Sequence, residues 1–219
     1  VAIIHHTVSC DFALFESLLW EPGNGYFLLE RHVARLNASG AHFHFGVDMD
    51  AVRKRLLDYA ERLSKPRKVR VEVSPSGEIS VKDEAVKSSA PLVVALARGP
   101  VQSGDEFLRH KTTRREVYLQ ALRAHREAQD VLLWNEREEL TETCHGNVVL
   151  DIAGQKVTPA LSSGLLPGTF RAELLHLGEI REQVVTLADL ECRRAIFMIN
   201  SVRRWCEMRL ANVPDAIPR

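Results

Sequence analysis

The sequence reads as an α+β protein in two domains, a small α+β domain at residues 1–97 and a β-rich domain at 107–219. Three observations lead there. Residues 68–73, Lys-Val-Arg-Val-Glu-Val, alternate charged and apolar side chains, the period-2 mark of a half-buried strand. Helical spacing interrupts the strands of the first half at His32, Val33, Leu36 and Ala38 and again at Val52, Leu56, Leu57, Tyr59 and Leu63. Between Asp130 and Pro159, short apolar runs separated by turn residues carry no helical period.

Taken in order, residues 1–4 look like a strand broken by His5-His6-Thr7. Residues 12–20 and 26–29 form a hairpin about the turn Glu-Pro-Gly-Asn-Gly at 21–25. Glu16 sits inside that apolar run, where a carboxylate needs a partner; it either orders a site or marks an edge or interface. A helix starts at Glu30, with Gly40 as its stop. His42 and His44 alternate with Phe43 and Phe45 and share a face if the segment is extended; with no third ligand in view, a structural role is preferred to a metal site. Asp48 or Asp50 caps the next helix, and 68–73 pairs with 79–81 across the turn at 74–77.

The apolar run at 91–97 supplies a further strand, taken as the end of the first domain, and 98–106 reads as the link. Lys111 then stands at the mouth of a helix carrying Val117, Leu119, Leu122 and Ala124. A strand at 130–134 turns through 135–138 and returns over 139–150, and 156–159 follows another turn. Residues 164–168, Gly-Leu-Leu-Pro-Gly, open directly into a helix, and a buried run from Ala195 ends in the polar pair Asn200-Ser201.

Composition narrows the function classes. Lys plus Arg and Asp plus Glu each number 29, so no global field favours nucleic acid or an anionic membrane as partner. The four cysteines are scattered without a Cys-x-x-Cys pair, which fits reduced thiols in the cytoplasm and gives no metal site. No apolar run approaches the ~20 residues that span a bilayer.

Two stretches suggest chemistry. A lysine amine held neutral and aimed at a carbonyl becomes a covalent catalyst, and Lys111 is the candidate. A glycine-bearing loop opening into a helix at Thr169 leaves backbone N–H groups unpaired at the positive end of the helix dipole, which suits a phosphate; the same pattern also serves as an ordinary turn.

Six motifs, in order along the chain, resemble the class IV, or D-amino-acid-aminotransferase-like, family of pyridoxal 5′-phosphate enzymes. They are Phe-Ala-Leu-Phe-Glu-Ser at 12–17, Leu-Leu-Glu-Arg-His-Val-Ala-Arg-Leu at 28–36, His-Lys-Thr-Thr-Arg-Arg at 110–115, Leu-Thr-Glu-Thr-Cys-His-Gly-Asn at 140–147, Gly-Leu-Leu-Pro-Gly-Thr-Phe-Arg at 164–171 and Asn-Ser-Val-Arg at 200–203. The nearest match is to its aminodeoxychorismate lyases, including those fused behind the synthase subunit for p-aminobenzoate.

The resemblance implies the fold-type IV architecture, with a β-rich pseudo-barrel as second domain, and pyridoxal 5′-phosphate as cofactor. It implies that Lys111 joins the cofactor aldehyde and that Glu142 meets the pyridine nitrogen. Arg35, the backbone N–H groups of Thr169 and Phe170, and the Ser201 hydroxyl would hold the phosphate, and Asn147 would organise the loop after Glu142. The implied reaction is conversion of 4-amino-4-deoxychorismate to p-aminobenzoate and pyruvate in folate precursor synthesis, with Ser17, Thr112 and Thr113 as candidate hydroxyls for the leaving group. A transaminase of branched-chain or D-amino acids and a non-catalytic oligomerisation or regulatory domain are the alternatives.

A homodimer, and fusion to or association with aminodeoxychorismate synthase, follow by the same resemblance. The start close to the first motif fits either a domain cut from such a fusion or a form with a shortened beginning. Two positions depart from the family pattern: Arg114 stands where relatives have Asn, and Val149 where an aromatic residue is common.

Overall fold

The computed structural model describes residues 12–86 and 91–211, so the strand expected at 1–4 lies outside the described residues. Strands β1 (Leu14–Glu21) and β2 (Gly25–Tyr26) form the expected hairpin, and β3 (Arg67–Val73) and β4 (Ile79–Ala85) form the second. They combine in an antiparallel sheet of order β2-β1-β3-β4. Val69, Val71 and Val73 alternate into the core of this sheet, as the period-2 pattern requires. Helices α1 (Leu29–His42) and α2 (Met49–Ala60) cover that face with Leu36, Val52 and Leu56.

Of the two candidate caps, Asp48 serves: its carboxylate accepts from the N–H groups of Asp50 and Ala51 at 2.9 and 3.1 Å. Gly40 does not stop α1, which runs on to His42. A Cβ at Gly40 would lie 3.0 Å from Val47 Cγ2, so the glycine serves close packing instead. His42 and His44 share no strand face. His42 closes α1, where it stacks on His110 at 4.3 Å and meets Glu106 at 2.8 Å, while His44 turns with φ 57°.

The second sheet has eight strands in the order β10-β9-β8-β11-β12-β5-β6-β7, and a β7 to β8 pairing closes a ring of six. Its members are β5 (Leu92–Leu96), β6 (Asp130–Trp134), β7 (Leu140–Thr143), β8 (Asn147–Ile152), β9 (Gln155–Pro159), β10 (Arg181–Gln183), β11 (Arg193–Asn200) and β12 (Arg204–Leu210). Leu132, Leu140, Val148, Leu150, Ile196 and Met198 fill the ring. The apolar run at 91–97, taken from sequence as the end of the first domain, is β5, paired in parallel between β12 and β6. Within residues 98–106, Val101 joins this sheet at one bridge to Asn135: it is buried and its N–H donates to the Trp134 carbonyl at 2.8 Å.

Helix α3 (Glu116–Ala124) packs on β6, α4 (Thr169–His176) on β11 and the short α5 (Asp189–Cys192) on β8. The returning strand expected over 139–150 is instead two strands. Thr143 N–H and Oγ1 both donate to the Gly146 carbonyl, folding 144–146 into a turn that brings Glu142 opposite Asn147.

Candidate active site

A cavity of about 400 Å³ lies between the small sheet and the closed ring, and Lys111, Glu142, Arg35, Asn147, Thr169, Phe170 and Ser201 all line it. Lys111 is not at a helix mouth, since α3 begins five residues later. It lies on an extended strip stitched to β1: Phe15 N–H donates to the Lys111 carbonyl at 2.9 Å, and Thr113 N–H donates to Ala13 at 2.8 Å. The amine sits 4.8 Å from the centroid of the Phe15 ring. Burial, reinforced by the positive charge of Arg35, brings it down to about 7, so that near neutral pH much of it is an unprotonated nucleophile.

Glu142 is the second-last residue of β7 and faces opposite requirements. Burial pushes its carboxyl up to about 7, while the Tyr118 hydroxyl donating at 2.8 Å and the Leu166 N–H at 3.3 Å favour its charged form. Asn147 Nδ2 donates to the other carboxylate oxygen at 3.3 Å and to the Leu166 carbonyl at 2.8 Å. The β7–β8 hairpin is thereby tied to the glycine-bearing loop. Gly168 is required at this crossing, because a Cβ there would fall 1.9 Å from Asn147 Oδ1.

The third corner is cationic. The α1 spacing puts Arg35 three residues after His32, and both reach Glu16 on β1: Arg35 through Nε and Nη2 at 2.8 and 2.6 Å, His32 through Nδ1 at 2.7 Å. Burial alone would raise the Glu16 carboxyl, but Arg35 and His32 hold it down to about 2. Arg35 Nη1 donates to the Pro167 carbonyl at 3.0 Å, which leaves two of its five N–H groups for a ligand. The first turn of α4 begins at the cap residue Gly168, whose carbonyl accepts from Ala172 N–H, so the N–H groups of Thr169, Phe170 and Arg171 have no intrahelical partner. The Phe170 ring packs on Phe27 and Trp205, so any contact it makes with an anion is through its backbone.

Ser201 differs from expectation in detail. Its hydroxyl donates to the Ser17 carbonyl at 3.3 Å, so offering it to an anion requires it to turn. Among the three candidate hydroxyls for leaving-group protonation, Ser17 lines the cavity. The Thr112 hydroxyl donates to the Arg114 carbonyl, and that of Thr113 accepts from Ala13 N–H. Arg114, the first departure, stacks its guanidinium 4.3 Å from the Phe107 ring on an outer groove. Val149, the second, is buried beside Phe170 and Leu174.

Sequence reasoning passed over His32, Tyr118, Arg115, Lys68 and Arg70. His32 lies inside a quoted motif without a role. Tyr118 read only as part of a helix, although a buried Glu142 demands a donor. Lys68 and Arg70 read as the solvated face of an alternating strand, whereas they line the cavity.

A buried amine, a buried carboxyl and a helix mouth beside an arginine thus share one cavity of a size for a small molecule. The amino-transferase class IV family model matches residues 13–210, and the chain belongs to that family. It is an enzyme of that family, a lyase or a related aminotransferase, and the family depends on pyridoxal phosphate. A Schizosaccharomyces pombe (strain 972) protein provisionally named aminodeoxychorismate lyase is 29% identical over 92% of this chain and 91% of its own length. A Mesorhizobium loti structure provisionally named amino-acid aminotransferase is 33% identical, covering 92% of this chain and 100% of its own, with TM-score 0.86. The 4-amino-4-deoxychorismate lyase of Pseudomonas aeruginosa shares the fold at 24% identity and TM-score 0.75, over 91% of this chain and 83% of its own.

Proposed function

We propose that the protein is a pyridoxal-phosphate-dependent lyase acting on 4-amino-4-deoxychorismate, releasing p-aminobenzoate and pyruvate. The observation that carries this reading is the convergence of Lys111, Glu142, Arg35 and the α4 mouth on one cavity. These groups fit the cofactor: an amine near neutrality for an aldehyde, a carboxyl with three donors for a pyridinium nitrogen, and unpaired N–H groups with a guanidinium for a phosphate. When bound, the cofactor supplies an electron-accepting ring conjugated to the substrate amine.

The chain's own residues do the rest. Lys111 takes the proton from the carbon bearing the substrate nitrogen, and Glu142 holds a proton at the ring nitrogen. Ser17, which lines the cavity, would protonate the enolpyruvyl group as it leaves. Lys68 and Arg70, on the β3 side of the cavity, are paired with Glu84 and Glu72, and would meet a substrate carboxylate only by exchanging those partners.

One observation favours a second reading. The Mesorhizobium loti relative carries an aminotransferase name, and Lys111, Glu142 and Arg35 would serve transamination equally. The first experiment is absorbance of the purified protein with added pyridoxal phosphate, before and after borohydride. A visible band that borohydride abolishes is expected for the wild type, with none in Lys111→Ala. A wild type without such a band removes the cofactor reading. Release of pyruvate and p-aminobenzoate from 4-amino-4-deoxychorismate then distinguishes the lyase from amino-acid turnover. By the same reading the protein is cytoplasmic and pairs as a homodimer, alone or beside aminodeoxychorismate synthase.

A further inference from the structure

Helices α1 and α4 meet over one buried carboxylate. Glu16, 1% exposed, accepts from Arg35 on one side and from His32 on the other. With its Nδ1–H given to Glu16, and with burial keeping the imidazole neutral, His32 has only a lone pair at Nε2. The Thr169 hydroxyl therefore donates to Nε2, at 3.2 Å. Thr169 is the first residue of α4, so the turn that exposes the unpaired N–H groups is fastened by its side chain to α1. A second link, Arg31 to Glu173 at 2.7 Å, joins the same two helices further out. His32 itself, 1% exposed, lies behind the cavity wall.

We propose that His32 is a positioning residue for the anion cradle, locking the first turn of α4 through Thr169 to the same carboxylate that aims Arg35. Two anion-binding elements, from opposite parts of the chain, thus keep one fixed separation. The proposal rests on the reading of this cavity as the site of a phosphate-bearing cofactor. Its distinctive consequence is selectivity: the fastening matters to the phosphate and not to the aldehyde, which Lys111 meets elsewhere in the cavity.

The test compares binding of pyridoxal phosphate with binding of pyridoxal, which lacks the phosphate, by absorbance titration. For His32→Phe and Thr169→Val, affinity for pyridoxal phosphate is expected to fall about tenfold while that for pyridoxal changes by less than about twofold. Combining the two substitutions adds little to either alone, because both cut one chain of hydrogen bonds. His32→Gln, whose amide oxygen reaches toward Thr169, recovers part of the loss. Equal weakening of both ligands, or unchanged pyridoxal phosphate affinity, overturns the proposal. If His32→Phe does not fold, Thr169→Val carries the same contrast, since it removes one hydroxyl from a side chain of nearly unchanged shape. A wild type that binds neither ligand instead sinks the cofactor reading, and this proposal with it.

Discussion

A lysine that shares a dry cavity with an arginine gives up its proton earlier than one in water, and for Lys111 this happens at about 7 in place of 10.5. Between those values the unfolded chain binds the proton that the native one has lost, so stability from this group grows as pH rises through the window, by about 1 kcal/mol per pH unit. Glu142 has the opposite sign: its carboxyl titrates at about 7 when folded and 4.5 when unfolded, so its contribution is full below 4.5 and is lost as pH rises to 7. Lys111→Met is therefore expected to flatten the rise of denaturation midpoint above pH 7 and, because the Lys111 charge helps lower the Glu142 carboxyl, to carry the decline to higher pH, as read by urea titration across pH. An unchanged rise would show that the amine is solvated. The sequence singled out Lys111 as an amine to be held neutral, but not the surroundings that bring its pKa down. The partners that decide its state, Phe15 and Arg35, come from β1 and α1, far from it in the chain.

At the scale of elements, the sequence marked periods well and ends less well. The alternation at 68–73 and the helical spacing from His32 correspond to β3 and α1. The helix expected right after Lys111 starts only at Glu116, because Thr112 and Thr113 pair their backbone or side chains with the start of β1. The turn at 144–146 was hidden because one hydroxyl, Thr143, makes it. Gly168 read as a turning residue, yet its φ of −64° suits any side chain; its role is spatial. Gly168→Ala should accordingly push Asn147 off the loop, costing about 1–3 kcal/mol of stability. The same change should lower affinity for pyridoxal phosphate through the displaced α4 mouth. A variant as stable and as tight as wild type would mean that the hairpin and loop move apart freely.

For the molecule as a whole, the cavity is lined from both sheets, so a ligand filling it stabilises both. Pyridoxal phosphate at about 100 times its dissociation constant adds about 2.7 kcal/mol. For a chain of this length that corresponds to a rise in Tm of about 5–10 °C. Calorimetry checks it, with Lys111→Ala expected to show a smaller shift. The topology that makes this cavity has a further consequence, for how the protein is made. β5, at residues 92–96, obtains its second neighbour only from β12, at residues 204–210, which inserts between it and β11. More than a hundred residues must leave the ribosome while one side of β5 stays unpaired, a long wait for a non-local contact. A nascent chain stopped before Arg204 would present two naked strand edges, on β5 and on β11, and invite its neighbours to pair with them.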